Sequence, residues 1–215
     1  MTTLRHGRVS IALHELRRAP GPALLCLHAV GGSAADFRDA AALWPGSVFA
    51  LDFAGHGASG PLRGGGYHPE LLAGDADAAL AHTGAACLVG AGVGAYVALL
   101  LAGARPDQVP AALLLPGTGL EGSGEAPDYS QDAQRVWNDL EPAPGCDPAV
   151  RRLERDIRPA DYAMSFALAA RRLLLSEDGT RRPPWWEAAQ RSPAAARAPA
   201  ELARGLALLA ARDAP

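Results

Sequence analysis

Between Cys87 and Ala104 the chain reads CLVGAGVGAYVALLLAGA. A short apolar run ends in Gly90-Ala91-Gly92-Val93-Gly94, and a stretch of small apolar residues follows. Glycine tolerates backbone conformations that other residues avoid, and it lets two backbones approach closely. The pattern therefore predicts a buried strand, a sharp turn and a helix packed tightly on the sheet. The rest of the chain has to be arranged around that sheet.

The flanking segments agree. Arg8 to Glu15 alternates in part and predicts an early antiparallel strand. Ala23 to His28 (ALLCLH), Ser47 to Asp52 (SVFALD), Ala86 to Val89 and Val109 to Leu115 are continuous apolar runs, as buried parallel strands require. Between them lie a helix capped by Ser33 and running to about Leu43, and a second from His68 to Thr83. Alternating strands and helices predict an α/β protein with a doubly wound, mostly parallel sheet. In such sheets ligands bind beyond the carboxyl ends of the strands. The loops Ala29–Ser33, Phe53–Ser59 and Gly90–Gly94 all fall at that end.

From Gly117 the composition changes. Ser130–Leu140, Pro148–Asp156 and Pro159–Leu175 read as helical, and Trp185-Trp186 begins another helix. This predicts a core over 1–119, a helical cap over 120–198, and over 199–215 a C-terminal helix or the remnant of a seventh strand. No further strand is recognisable, so the sheet is expected to stop before its last strands. Val109–Leu115 would then be an exposed edge, which invites a homodimer by strand pairing.

The chain has 215 residues and a net charge of −3, and its twenty basic residues are all arginine. That balance gives no reason to expect nucleic acid or an acidic membrane as partner. The first ten residues hold no apolar leader, and the run Ala95–Ala104 is shorter than the roughly 20 residues that span a bilayer. Cytoplasmic residence is the expectation. Cys26 and Cys87 sit in strands, and Cys146 sits in a loop that could expose it. The spacing suggests no metal site, and no cofactor is expected.

These segments together resemble the α/β-hydrolase fold. LLCLHAVGGS resembles that family's oxyanion segment, with His28, Gly31 and Gly32 kept and Ala29 in place of a glycine. ALDFAGHGAS resembles its D-x-x-G-x-G-x-S loop through Asp52, Gly55, Gly57 and Ser59, and VGAGVG resembles its nucleophile elbow. The resemblance covers about the first 120 residues. It implies a serine, an acid and a histidine in that chain order, with oxyanion N–H groups at Val30 and Val93. Here Gly92 stands where the serine belongs. The histidines are His6, His14, His28, His56, His68 and His82, so none follows the elbow. The elbow also resembles that of the Ndr family, hydrolase-like proteins without a working triad, whose G-x-G-x-G-A-Y is matched by Gly90 to Tyr96.

The resemblance thus implies a catalytically degenerate, hydrolase-like protein that binds a small apolar carbonyl compound or a partner. Its expected pocket draws on His28, Gly31, Gly32, Asp52, Phe53, His56, Gly90, Ala91 and Gly92, with Trp137, Trp185 and Trp186 from the cap. The alternative is a weak, non-triad hydrolase acting on an ester or other carbonyl substrate, with His28 or His56 moving the proton. A third reading takes Gly90–Ala95 as the G-x-G-x-x-A dinucleotide fingerprint. That motif wants an acid at the end of the next strand, and LLLPGTG offers none.

Overall fold

A computed structural model describes residues 1–120, 145–177 and 182–211. Eight strands form one sheet in the order β1-β2-β4-β3-β5-β6-β7-β8. β1 (Thr2–His6) and β2 (Val9–Arg17) form an antiparallel hairpin, and β2 runs antiparallel to β4 (Val48–Asp52). β3 (Ala23–Leu27), β4, β5 (Ala86–Ala91), β6 (Ala112–Leu115), β7 (Leu173–Glu177) and β8 (Ala195–Pro199) are parallel. The doubly wound, mostly parallel sheet expected from the sequence is therefore present.

Helices cover both faces. α1 (Ala40–Leu43) and α6 (Leu202–Ala210) pack over one, with Phe37, Trp44, Leu206 and Leu209 against Leu24, Cys26 and Leu113. On the other lie α2 (Pro69–Thr83), α3 (Val93–Ala104), α4 (Ala160–Ala169) and α5 (Pro184–Gln190). Almost every α3 residue is buried, as its apolar run requires. Ser33 does act as a cap: its hydroxyl accepts from the Ala35 N–H, and Asp36 accepts from the Ser33 N–H at 2.9 Å. The helix it opens is only a 3-10 turn, Ala34–Phe37, followed by the short α1.

The expected loss of the last strands is not what the chain does. β7 and β8 continue the sheet, and β6 lies inside it between β5 and β7. Val109–Leu115 is therefore no exposed edge. The expected helix Pro159–Leu175 is two elements, α4 and then β7. Leu173-Leu174-Leu175 is buried on both sides of a parallel sheet, and such a short run lacks the alternation that marks a strand. β8, AARAP, has only Ala198 buried, so it carries almost no apolar signal.

The segment 120–198, expected as a helical cap, accordingly supplies two strands and two helices of the main body. Its expected helix Ser130–Leu140 and Trp137 lie outside the described residues. Pro148–Glu154 is a 3-10 helix, and the expected C-terminal helix is α6. No helix among the described residues is long and apolar enough to cross a membrane.

Candidate functional site

The carboxyl ends of β3, β4 and β5 bring the three expected loops together. Most of the expected pocket residues meet here, and His28, His56 and Asp52 among them are tied to the backbone of these loops. His28 is buried, and its Nε2 accepts the Phe53 N–H at 3.0 Å. Its Nδ1 therefore carries the proton and donates to the Ala29 carbonyl at 2.7 Å. His56 has the same arrangement: Nε2 accepts from the Gly31 N–H and Nδ1 donates to the Ala54 carbonyl, each at 3.2 Å. Their rings lie 4.7 Å apart.

Burial pushes the His28 imidazole down to about 3, reinforced by neighbouring His56, and burial lowers His56 as well. Both rings stay neutral, and both lone pairs are engaged by backbone N–H groups. Neither is placed to take a proton from a substrate or a water.

Asp52 ties the loops together. Its Oδ1 accepts from the Ala34 N–H at 2.7 Å, and Oδ2 accepts from the Ala58 N–H and His14 Nε2, both at 2.9 Å. Burial alone would raise its pKa; the Ala58 and Ala34 N–H groups and His14 outweigh that and hold the carboxyl below its ordinary value. The loop is braced from outside by Gly145–Asp147. The Gly57 N–H donates to the Gly145 carbonyl at 2.8 Å, and the Asp147 N–H to the Gly55 carbonyl at 2.7 Å. Cys146 between them is half-buried, and burial pushes its thiol up to about 11.

At the elbow, Gly92 has φ 55° and ψ −120°, and α3 starts at the next residue. The backbone is thus in the strained, left-handed turn expected of this motif. The Val30 and Val93 N–H groups point at a single acceptor, as an oxyanion pair would. That acceptor is the chain's own Thr118 carbonyl oxygen, 3.1 Å from each nitrogen. A Cβ added at Gly92 would stand 2.7 Å from the Gly117 carbonyl carbon and the Thr118 nitrogen, and closer still to the Thr118 oxygen.

The sequence reading missed Gly117, Thr118 and Leu120, which make this plug. Leu120 is buried with φ 58°; its N–H donates to the Leu153 carbonyl at 2.7 Å. Its own carbonyl accepts the Trp185 indole N–H at 3.0 Å. The available signal was the Gly-Thr-Gly that follows β6, two glycines flanking one residue where backbones must approach closely. Trp185 and Trp186 are buried and stack edge-on, centroids 5.4 Å apart, with Trp185 also against Tyr96 at 5.0 Å. Trp185 thereby fixes the turn from behind through Leu120.

Among the described residues, the side chains at the tips of the last two strands are engaged with their neighbours; residues 178–181, which follow β7, lie outside the description. β7 ends at Glu177, whose carboxylate takes Gln190 Nε2 at 2.7 Å and Arg197 Nε at 3.0 Å. Only Ala200 and Glu201 separate β8 from α6. No group of three His, Cys, Asp or Glu among the described residues could hold a metal ion.

No protein-family model and no curated protein sequence matches the chain. Many solved structures do. A hypothetical protein from Pseudomonas aeruginosa superimposes with a TM-score of 0.70 at 22% identity, over 97% of this chain and 96% of that one. The bottromycin epimerase BotH, solved with bottromycin A2, gives 0.67 at 18% identity over 97% and 93%. An α/β hydrolase from Sphaerobacter thermophilus gives 0.64 at 19% identity over 91% of both chains. The chain has the α/β-hydrolase fold.

Proposed function

We propose that this α/β-hydrolase-fold chain does not hydrolyse esters and works by binding a small apolar carbonyl compound at the carboxyl ends of β3 to β6. The observation that carries the first half is the Thr118 carbonyl. It takes up both oxyanion-type N–H groups and the space that a nucleophile at position 92 would need. A serine hydrolase needs that space for its attacking oxygen and those N–H groups for the tetrahedral intermediate. The histidine inventory supports the same reading, because no histidine follows His82 and both His28 and His56 spend their ring nitrogens on backbone.

The binding half rests on the convergence of three loops and two N–H donors on one carbonyl. It has support from BotH, an epimerase captured with bottromycin A2 on the same fold at nearly the same length. The test is p-nitrophenyl acetate, butyrate and octanoate hydrolysis against a buffer blank, with fluorophosphonate labelling alongside. No turnover and no adduct are expected, together with a thermal shift in the presence of an apolar ketone such as cyclohexanone. Turnover that disappears in His28→Ala or His56→Ala would overturn the reading in favour of a non-triad hydrolase.

A further inference from the structure

We propose that the Tyr96 hydroxyl and the Arg158 Nε–H form a binding position for one neutral oxygen: the carbonyl or hydroxyl oxygen of a small apolar ligand, or a water in its place. For its ligand this rests on the binding reading above, and it puts the polar contact one turn into α3 rather than at the elbow. Among the described residues, these are the two buried side-chain polar atoms with no hydrogen-bond partner. Tyr96 is 0% exposed. Buried polar groups are almost always paired, and an unpaired one costs stability. The Tyr96 ring meets Trp185 edge-on at 5.0 Å, a contact that phenylalanine would make equally well. The hydroxyl therefore adds a cost that an acceptor has to offset.

The guanidinium is held in place by its other two nitrogens. Arg158 Nη1 donates to Glu70 Oε1 at 3.0 Å, and Nη2 donates to Asp156 Oδ2 at 2.5 Å. These two carboxylates fix the planar fork and leave Nε–H unspent. Burial raises the Tyr96 hydroxyl above its ordinary value against the pull of Arg158, so it keeps its proton and remains a donor. Glu70, Tyr162 and Asp156 also act on that hydroxyl. Tyr96 from α3, Glu70 from the first turn of α2, Asp156 and Arg158 ahead of α4, and Tyr162 within α4 thus form one cluster.

The chemistry of the pair defines its occupant. A guanidinium Nε–H can only donate, and a tyrosine O–H donates as well, so the occupant has to accept. One positive charge already faces two carboxylates, so an anion would meet net negative charge. A cation would meet two donors. A neutral oxygen with two lone pairs answers both. The Arg158 side chain is 18% exposed while its Nε is buried, which puts the position just beneath the surface. Ile157 and Tyr162 lie on either side of Arg158 in the chain, and both are exposed apolar side chains. They offer the apolar body of a ligand a surface to rest on. A cyclic ketone or alcohol combines that body with the required oxygen.

The experiment combines urea unfolding with an NMR titration of the full chain, following the Trp185 indole N–H. Cyclohexanone is the probe and cyclohexanecarboxylate the anionic control. Without probe, Tyr96→Phe should raise the unfolding constant about fivefold, because a bonded hydroxyl is lost. Arg158→Lys keeps a cation for Glu70 and Asp156 but lacks the Nε–H. The double variant should cost less than the two single ones together, since both groups share one oxygen. Cyclohexanone should shift the indole resonance in wild type and bind about fivefold more weakly to each variant, whereas the carboxylate should leave it unmoved. A Tyr96→Phe protein as stable as wild type, or more so, would overturn the proposal, because the hydroxyl would then have no acceptor. Strictly additive stability losses, or ketone binding that neither substitution alters, would overturn it too, and the latter would leave the binding reading standing. Coupled stability losses with no ketone binding would uphold the position with water as its occupant and count against the binding reading alone. If Tyr96→Phe does not fold, the ketone titration of Arg158→Lys decides.

Discussion

The two halves of the sheet treat the carboxyl ends of their strands in opposite ways. β3, β4 and β5 end in long loops whose polar groups are fully committed: His28 and His56 to backbone, and Asp52 to Ala34, Ala58 and His14. β8 ends almost at the start of α6, with two residues between them, and the tip of β7 carries a carboxylate spent on Arg197 and Gln190. The first half holds its loops with polar groups, whereas the described carboxylate at the tip of β7 serves only its neighbours. What lies between, the Gly117–Leu120 turn after β6, fills the centre with backbone.

The largest expected effect breaks the comparison at its centre. Gly92→Ser places a Cβ on the Thr118 backbone at a positive φ, so it should destabilise the fold by roughly 3–5 kcal/mol. It should bring no ester turnover. Denaturant unfolding and the p-nitrophenyl assay check it together, and an active, fully stable variant would return the site to serine chemistry.

A second test measures how firmly the first half is closed. His28 and His56 are held neutral below the ordinary imidazole value of about 6.5, so on acidification the unfolded chain takes up protons before the folded one does. Their contribution to stability is complete above pH about 6.5. It declines as pH falls toward the native values, by up to about 1.4 kcal/mol per pH unit for each histidine. Urea midpoints at pH 7, 6 and 5 should show this slope in wild type, and His28→Gln should lose its share. A flat wild-type profile would mean that the rings are accessible to protons.

Trp185→Phe tests the anchor of the plug. It keeps the ring against Tyr96 but leaves the Leu120 carbonyl buried and unpaired, at an expected cost of about 1–2 kcal/mol by chemical denaturation. The smallest effect belongs to the second half. Arg197→Ala removes an ion pair whose arginine is 77% exposed, and a change within about 0.5 kcal/mol is expected from the same measurement. A larger loss there would show that the tips of β7 and β8 matter more than their geometry implies.

The sequence by itself determined five strands of the sheet, β2 to β6, the turn at Gly92, and the facts that position 92 is glycine and that no histidine follows His82. Those follow from local signals: unbroken apolar runs such as ALLCL and ACLV, glycines at a forced turn, and residue types that are simply present or absent. The family resemblance singled out the Val30 and Val93 N–H groups, and both bond the Thr118 carbonyl.

Only the tertiary structure decided the rest. β7 continues directly from what reads as one long helix, and β8 is alanine and arginine at the sheet's edge; each becomes a strand because a neighbouring strand offers its hydrogen bonds. The hairpin strand β1 was likewise set by its partner β2. What occupies the N–H pair was beyond any local pattern. Thr118 lies 88 residues from Val30 and 25 from Val93, and its role comes from a carbonyl that every residue possesses. Side-chain chemistry is written in the sequence, whereas a backbone group gains its function only from where folding puts it.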